Sequence, residues 1–220
     1  MARLSIPAIG LALGGLVFGV GGSLHPDAPA TTVTEALGTM YESPLWTPAH
    51  LLALVGVLLI AISLLGLTRG TPVISGAVKV RPFAIAAAVG AVIAAIELVP
   101  HLLSSSEHAA LREGDTTPLT DLHGALQIVA TPALGLTVAA LAVAVAASRE
   151  RYRLLWWLAA IPAVLGGLTW AAAGPLVNLT HEPAFAALFT GAAGIAIWYL
   201  LAGLVVSIRS RRSPRTTVSS

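Results

Sequence analysis

The sequence predicts an all-α integral membrane protein, a bundle of six transmembrane helices. Three observations predict it. Of the 220 residues only 10% are charged and 56% are hydrophobic, whereas a soluble domain carries about 25% charged residues. Six apolar runs have the length, about 20 residues, that a helix needs to cross a bilayer. A barrel strand would be about 10 residues long and would alternate in polarity. The basic residues fall in alternate connections, as the positive-inside rule requires of a multi-pass chain.

The first span, Ile6–Leu24, follows Arg3 and is rich in glycine. Arg3, the apolar run and the small residues at Ala28–Ala30 loosely resemble a cleavable signal. The run is longer than a usual signal core, so a retained helix is expected. The second and third spans are Ala49–Leu67 and Phe83–Leu103. The fourth, fifth and sixth are Leu122–Ala147, Leu154–Val177 and Phe185–Ile208. Together they make a single transmembrane domain over 1–208. Residues 209–220 form a basic tail with the composition of a disordered segment.

With the N-terminus inside the cell, eleven of the twelve basic residues lie on the inner side. Arg112 is the exception, and of the ten acidic residues only Glu150 is inside. An odd number of spans would scramble this asymmetry. Both termini are therefore expected to be cytoplasmic, in a protein of the cell membrane. The positive charge is a topology signal, and nucleic acid is not an expected partner. The chain has no cysteine, which excludes disulfides, thiolate metal sites, Fe–S clusters and cysteine nucleophiles.

This topology places all six histidines on the outer side. His25 ends the first span, His50 opens the second, His101 lies near the outer end of the third and His123 opens the fourth. His108 and His181 fall in outer connections. The histidines of the first two hairpins are 25 and 22 residues apart, and "SPLWTPAH" and "TPLTDLH" both place Pro and Thr before one of them. Repeated helical hairpins are plausible on this pattern.

Glu97 is the one ionisable residue well inside a span. A carboxylate in a membrane is costly and points to function with a partner nearby. Four residues separate it from His101, so the two share a helix face. His101 lies about 27 Å along the span from Phe83, close to the outer boundary of the hydrocarbon core. His123 and Gln127 repeat the spacing in the fourth span, and Thr131 extends that face. Pro100 and Pro132 each free a backbone carbonyl beside these groups. Such carbonyls are tolerated where helices, side chains or water satisfy them. A polar pocket near the outer surface is expected.

Neutral imidazole is the commonest protein metal ligand. His25, His50, His101 and His123 are the candidate ligands, for a copper or zinc ion or for a b-type haem with two axial histidines. Glu97 is a ligand or a neighbour of the ligands. Gln127, Asn178 and His181 are candidates to hold them from behind. Redox chemistry or electron transfer, with a membrane redox partner or as a homo-oligomer, is the economical use of such a site. Two alternatives stand beside it. Glu97 and His101 can relay protons in a small-solute or proton transporter, although the inner halves of the spans look apolar, with Ser63, Thr68 and Thr137 the main polar exceptions. The glycine-rich faces also suit an accessory or structural subunit without chemistry of its own. No Ser-His-Asp order or paired-carboxylate arrangement is legible, and no lysine lies in a span to form a Schiff base. Trp46, Trp156, Trp157 and Trp170 lie toward span ends, where aromatic belts sit; Trp198, near mid-span, suits packing.

Overall fold

The structure, a computed structural model, describes residues 5–70, 80–149 and 153–210. The 209–220 tail lies outside them apart from the backbone of residues 209 and 210, and so do Arg3, Lys79, Glu150 and Arg151. Among the described residues every regular element is helical. The α-helices are α1 (Ile6–Leu24), α2 (Val33–Tyr41), α3 (Trp46–Gly70), α4 (Arg81–Leu103), α5 (His108–Glu113), α6 (Pro118–Ala147), α7 (Arg153–Thr180) and α8 (Gly191–Ser210). Six of these segments are long and apolar enough to cross a membrane by length and composition.

Helices α3, α4 and α6 start earlier than the apolar runs do. Proline explains why. Pro7, Pro82 and Pro118 each occupy one of the first two helical positions, where no N–H is needed and the fixed φ already suits a helix. Pro48 lies within the first turn of α3 in the same way. A proline before an apolar run therefore opens these helices rather than bounding them. Helices α4 and α6 also continue through their internal prolines, Pro100 and Pro132.

Two short helices lie where a polar connection was expected. Helix α2 is capped by Thr32, whose hydroxyl accepts from the Glu35 N–H at 3.2 Å. The Glu35 carboxylate reaches back to the N–H of Thr31 at 3.0 Å and to its hydroxyl at 2.9 Å. These bonds hold its pKa below the ordinary carboxyl value. The T-x-x-E spacing is a capping signature that the sequence does carry. A 3₁₀ segment, Ser104–Glu107, joins α4 to α5. The Glu107 carboxylate accepts from the N–H groups of Leu119 and Thr120 at 2.8 and 2.9 Å, capping α6 from another element. The sixth span also differs from expectation: Pro183–Thr190 is 3₁₀ and the α-helix begins at Gly191.

The six long helices form a closed ring. Helix α1 packs on α3, α3 on α4, α4 on α6, α6 on α7 and α7 on α8, and α8 returns to α1. Small residues line the interior. Ala8, Ala84, Ala87, Ala91 and Ala163 are fully buried, whereas Ile6, Ile62, Leu154 and Leu165 are exposed. Larger side chains share that interior, with Leu11, Ile60, Leu64, Leu134 and Ile195 also buried. Between apolar helices in lipid, close backbone approach supplies the van der Waals contact that holds a bundle together.

The α1–α3 seam shows how close the approach is. A Cβ added at Gly56 would lie 2.5 Å from the Phe18 backbone nitrogen, and one at Gly21 would lie 2.6 Å from that of Ala53. Gly56→Val is therefore expected to destabilise the bundle by about 1–3 kcal/mol or more through overpacking. Gly38→Ala, in α2 with open space around it, should be neutral or stabilising by up to about 1 kcal/mol. Thermal unfolding of the two variants in detergent checks the contrast.

Candidate metal centre

The alternating ring brings the C-terminal ends of α1 and α4 to the same level as the N-terminal ends of α3 and α6. Helix α1 stops at Leu24, and His25 is its C-cap. Pro26 follows, and a proline disfavours helical geometry in the residue before it. His25 is half-buried, and burial lowers its pKa, opposed by the Pro26 backbone and the charge of Asp27.

His50 sits one turn into α3 and is 2% exposed. Its Nδ1 donates to the carbonyl of Trp46 at 2.6 Å. A carbonyl can only accept, so the proton is on Nδ1 and the lone pair is on Nε2. That Nε2 is buried with no hydrogen-bond partner. A backbone carbonyl on one ring nitrogen is a common way to orient a metal-ligating histidine.

Glu97 and His101 face the same way from α4, and His123 faces them from α6. One carboxylate oxygen, Glu97 Oε1, lies 2.5 Å from His123 Nδ1 and 3.5 Å from His101 Nδ1. The oxygen and His123 Nδ1 are both buried, yet neither has an aligned hydrogen bond. Buried polar atoms are rarely left so. Three of them (His50 Nε2, Glu97 Oε1 and His123 Nδ1) gather in one cluster.

The imidazoles form a connected stack. Ring centroids are 5.0 Å apart for His25 and His50, 4.3 Å for His50 and His101, and 3.7 Å for His101 and His123. Two sets of three have ligand atoms within 4.8 Å of one another: His25, His50 and His101, and Glu97, His101 and His123. Imidazole nitrogen with carboxylate oxygen is a donor set for zinc, copper, iron or nickel.

Trp46 belongs to this centre rather than to a surface belt. It is 1% exposed. Its ring packs on His50 with centroids 4.0 Å apart, and its indole N–H donates to the Leu102 carbonyl of α4 at 3.2 Å. Tyr41, at the end of α2, packs edge-on against Trp46 at 4.7 Å. The Tyr41 hydroxyl meets that of Thr120 on α6 at 3.0 Å. Burial raises the Tyr41 pKa, opposed by hydrogen bonds to Ser104 and Thr120. Above this layer Glu42 pairs with Arg112 at 2.7 Å and with His108 at 3.3 Å. Sequence position marked Trp46 as an end-of-span residue but not which way its ring turns. Trp156, also placed in the belt, is likewise buried.

The remaining candidates are placed as follows. Asn178 of α7 donates to Gln127 Oε1 at 2.7 Å and to the Gly174 carbonyl at 2.9 Å. This pair ties α6 to α7 one turn from His123. The Thr131 hydroxyl donates to the Gln127 carbonyl at 2.9 Å. His181 is exposed, has a positive φ of 59° just after α7, and joins neither set of donors.

No protein-family model, curated protein or solved structure matches this chain.

Proposed function

We propose that the chain holds a transition-metal centre at the outer face of the cell membrane and uses it for redox chemistry or electron transfer. The observation that carries this reading is the gathering of four imidazoles and one carboxylate into two overlapping sets of three donors. Within them His50 Nε2 is buried without a hydrogen bond, and a cation is a partner that satisfies it. The basic residues of the connections favour an outward-facing histidine end.

The packing favours an ion over haem. Neighbouring histidine rings are 3.7–5.0 Å apart, which is contact distance. A macrocycle between two of them would require the helices to separate. Copper joins this donor set to redox chemistry, as iron would; zinc brings no change of oxidation state. Trp46 and Tyr41 form an aromatic path from His50 toward the outer surface, which suits an external redox partner.

A through-path for protons or solutes has less support. Below the cluster the hydroxyls of three buried or half-buried residues bond to their own helices. Thr68 donates to Leu65, Thr137 to Ala133 and Ser207 to Gly203.

The test is metal analysis and electron paramagnetic resonance of protein purified in detergent after copper and zinc supplementation. At least one copper per chain, with a Cu(II) signal that a reductant removes, is expected. Stoichiometric zinc alone would refute the redox part. No stoichiometric metal would refute the centre itself.

A further inference from the structure

We infer that the centre is dinuclear, with two transition-metal ions held by two triads that share the imidazole of His101. This rests on the metal reading above and adds to it the number and sharing of the ions.

The donor geometry carries the inference. An ion with metal–ligand bonds of about 2.0–2.2 Å keeps its ligand atoms within about 4.4 Å of one another. His25, His50 and His101 approach that limit as one set, and Glu97, His101 and His123 approach it as another. Among the described residues no set of four or five does so. A single ion in the first triad leaves Glu97 Oε1 and His123 Nδ1 with only each other, 2.5 Å apart and out of hydrogen-bond alignment. A single ion in the second leaves His50 Nε2 buried without a partner. Two ions give all three atoms a metal partner.

His101 is placed to serve both. Its ring lies between those of His50 and His123, at 4.3 and 3.7 Å. Its Nδ1 faces Glu97 at 3.5 Å, so Nε2, on the far side of the ring, is the nitrogen for the other ion. Binding of the second ion displaces the remaining ring proton to solvent and leaves a bridging imidazolate. The two halves differ in chemistry. One offers three nitrogens, and the other offers two nitrogens and a carboxylate oxygen. With three protein ligands each, both ions keep a position open for water or another small oxygen donor.

The experiment is equilibrium dialysis of metal-stripped full-length protein against Zn(II), read by elemental analysis, with a parallel Cu(II) titration read by electron paramagnetic resonance. Two ions per chain are expected. The integrated Cu(II) signal should grow to one equivalent and shrink toward the second, as two bridged Cu(II) ions couple. The pair Glu97→Gln with His123→Gln should keep one ion, and His25→Gln with His50→Gln should keep the other. His101→Gln should weaken both by about 1,000-fold or more, beyond the roughly 10–100-fold cost of losing an outer-shell partner. Circular dichroism and gel filtration identify any variant that fails to fold, and the wild-type stoichiometry and coupling need no variant. One ion per chain would overturn the dinuclear site and leave the metal centre standing. Two uncoupled ions, both retained in folded His101→Gln, would overturn the sharing. No bound ion would overturn the centre as a whole.

Discussion

His101→Ala is expected to abolish the stabilisation that metal gives the bundle. An ion that binds only the folded state stabilises it by about 4 kcal/mol when its free concentration is about 1,000 times Kd. Thermal unfolding of the wild type in detergent should therefore fall sharply when a chelator is added, and that of His101→Ala should not change. The variant also deletes a ring packed against His50 and His123, so its metal-free stability will fall by itself. The chelator difference, measured within each protein, separates the two effects. Glu97→Gln keeps the shape of the side chain and serves as the companion. Its metal-free melting should stay close to that of the wild type, because an amide oxygen in place of Glu97 Oε1 can still accept from His123 Nδ1. A wild type that melts at the same temperature with and without chelator would remove the basis for the centre.

Trp46→Ala should produce the largest loss of stability among single substitutions at this end of the bundle. Truncating a buried aromatic costs about 3–5 kcal/mol. Here the indole fills the space between Tyr41, His50 and His101 and bonds across to α4. Trp46→Phe keeps most of the ring and loses that one hydrogen bond, at about 1 kcal/mol. The His50 tautomer should survive both substitutions, because the acceptor is the Trp46 backbone carbonyl. Metal affinity is thus expected to fall less than stability does. Comparing Kd with the unfolding midpoint in the two variants tests this. Equal losses in both would mean that the indole, rather than the carbonyl, sets the ring of His50.

These two residues mark the boundary of what could be read from sequence. The six long helices were legible because an apolar run of about 20 residues matches the length a membrane-crossing helix needs. The common level of His25, His50, His101 and His123 followed from alternation, since each sits at a span end. Glu97 and His101 share a face by helical spacing alone. Which way each helix turns about its axis is not written in any one of them. That rotation is set by close contacts such as Gly56 against Phe18, and it decides that Trp46 points inward and that the donors divide into two sets. His181 illustrates the same limit in reverse. It is near the cluster in topology, but its place after the last turn of α7 leaves it in the open. Helix α2 was missed for another reason. At nine residues it is too short for a periodic pattern, and its cap was the usable signal.

The closed ring of helices has a consequence for the histidine end. The five donors come from α4, from α3 and α6 on either side of it, and from the end of α1. These four helices are an uninterrupted arc of the circle. Helices α7 and α8 bring no donor, yet they span the gap from α6 back to α1. Their part is that of a brace across an arch. A chain ending after α6 would keep every donor and lose the curvature that makes them converge.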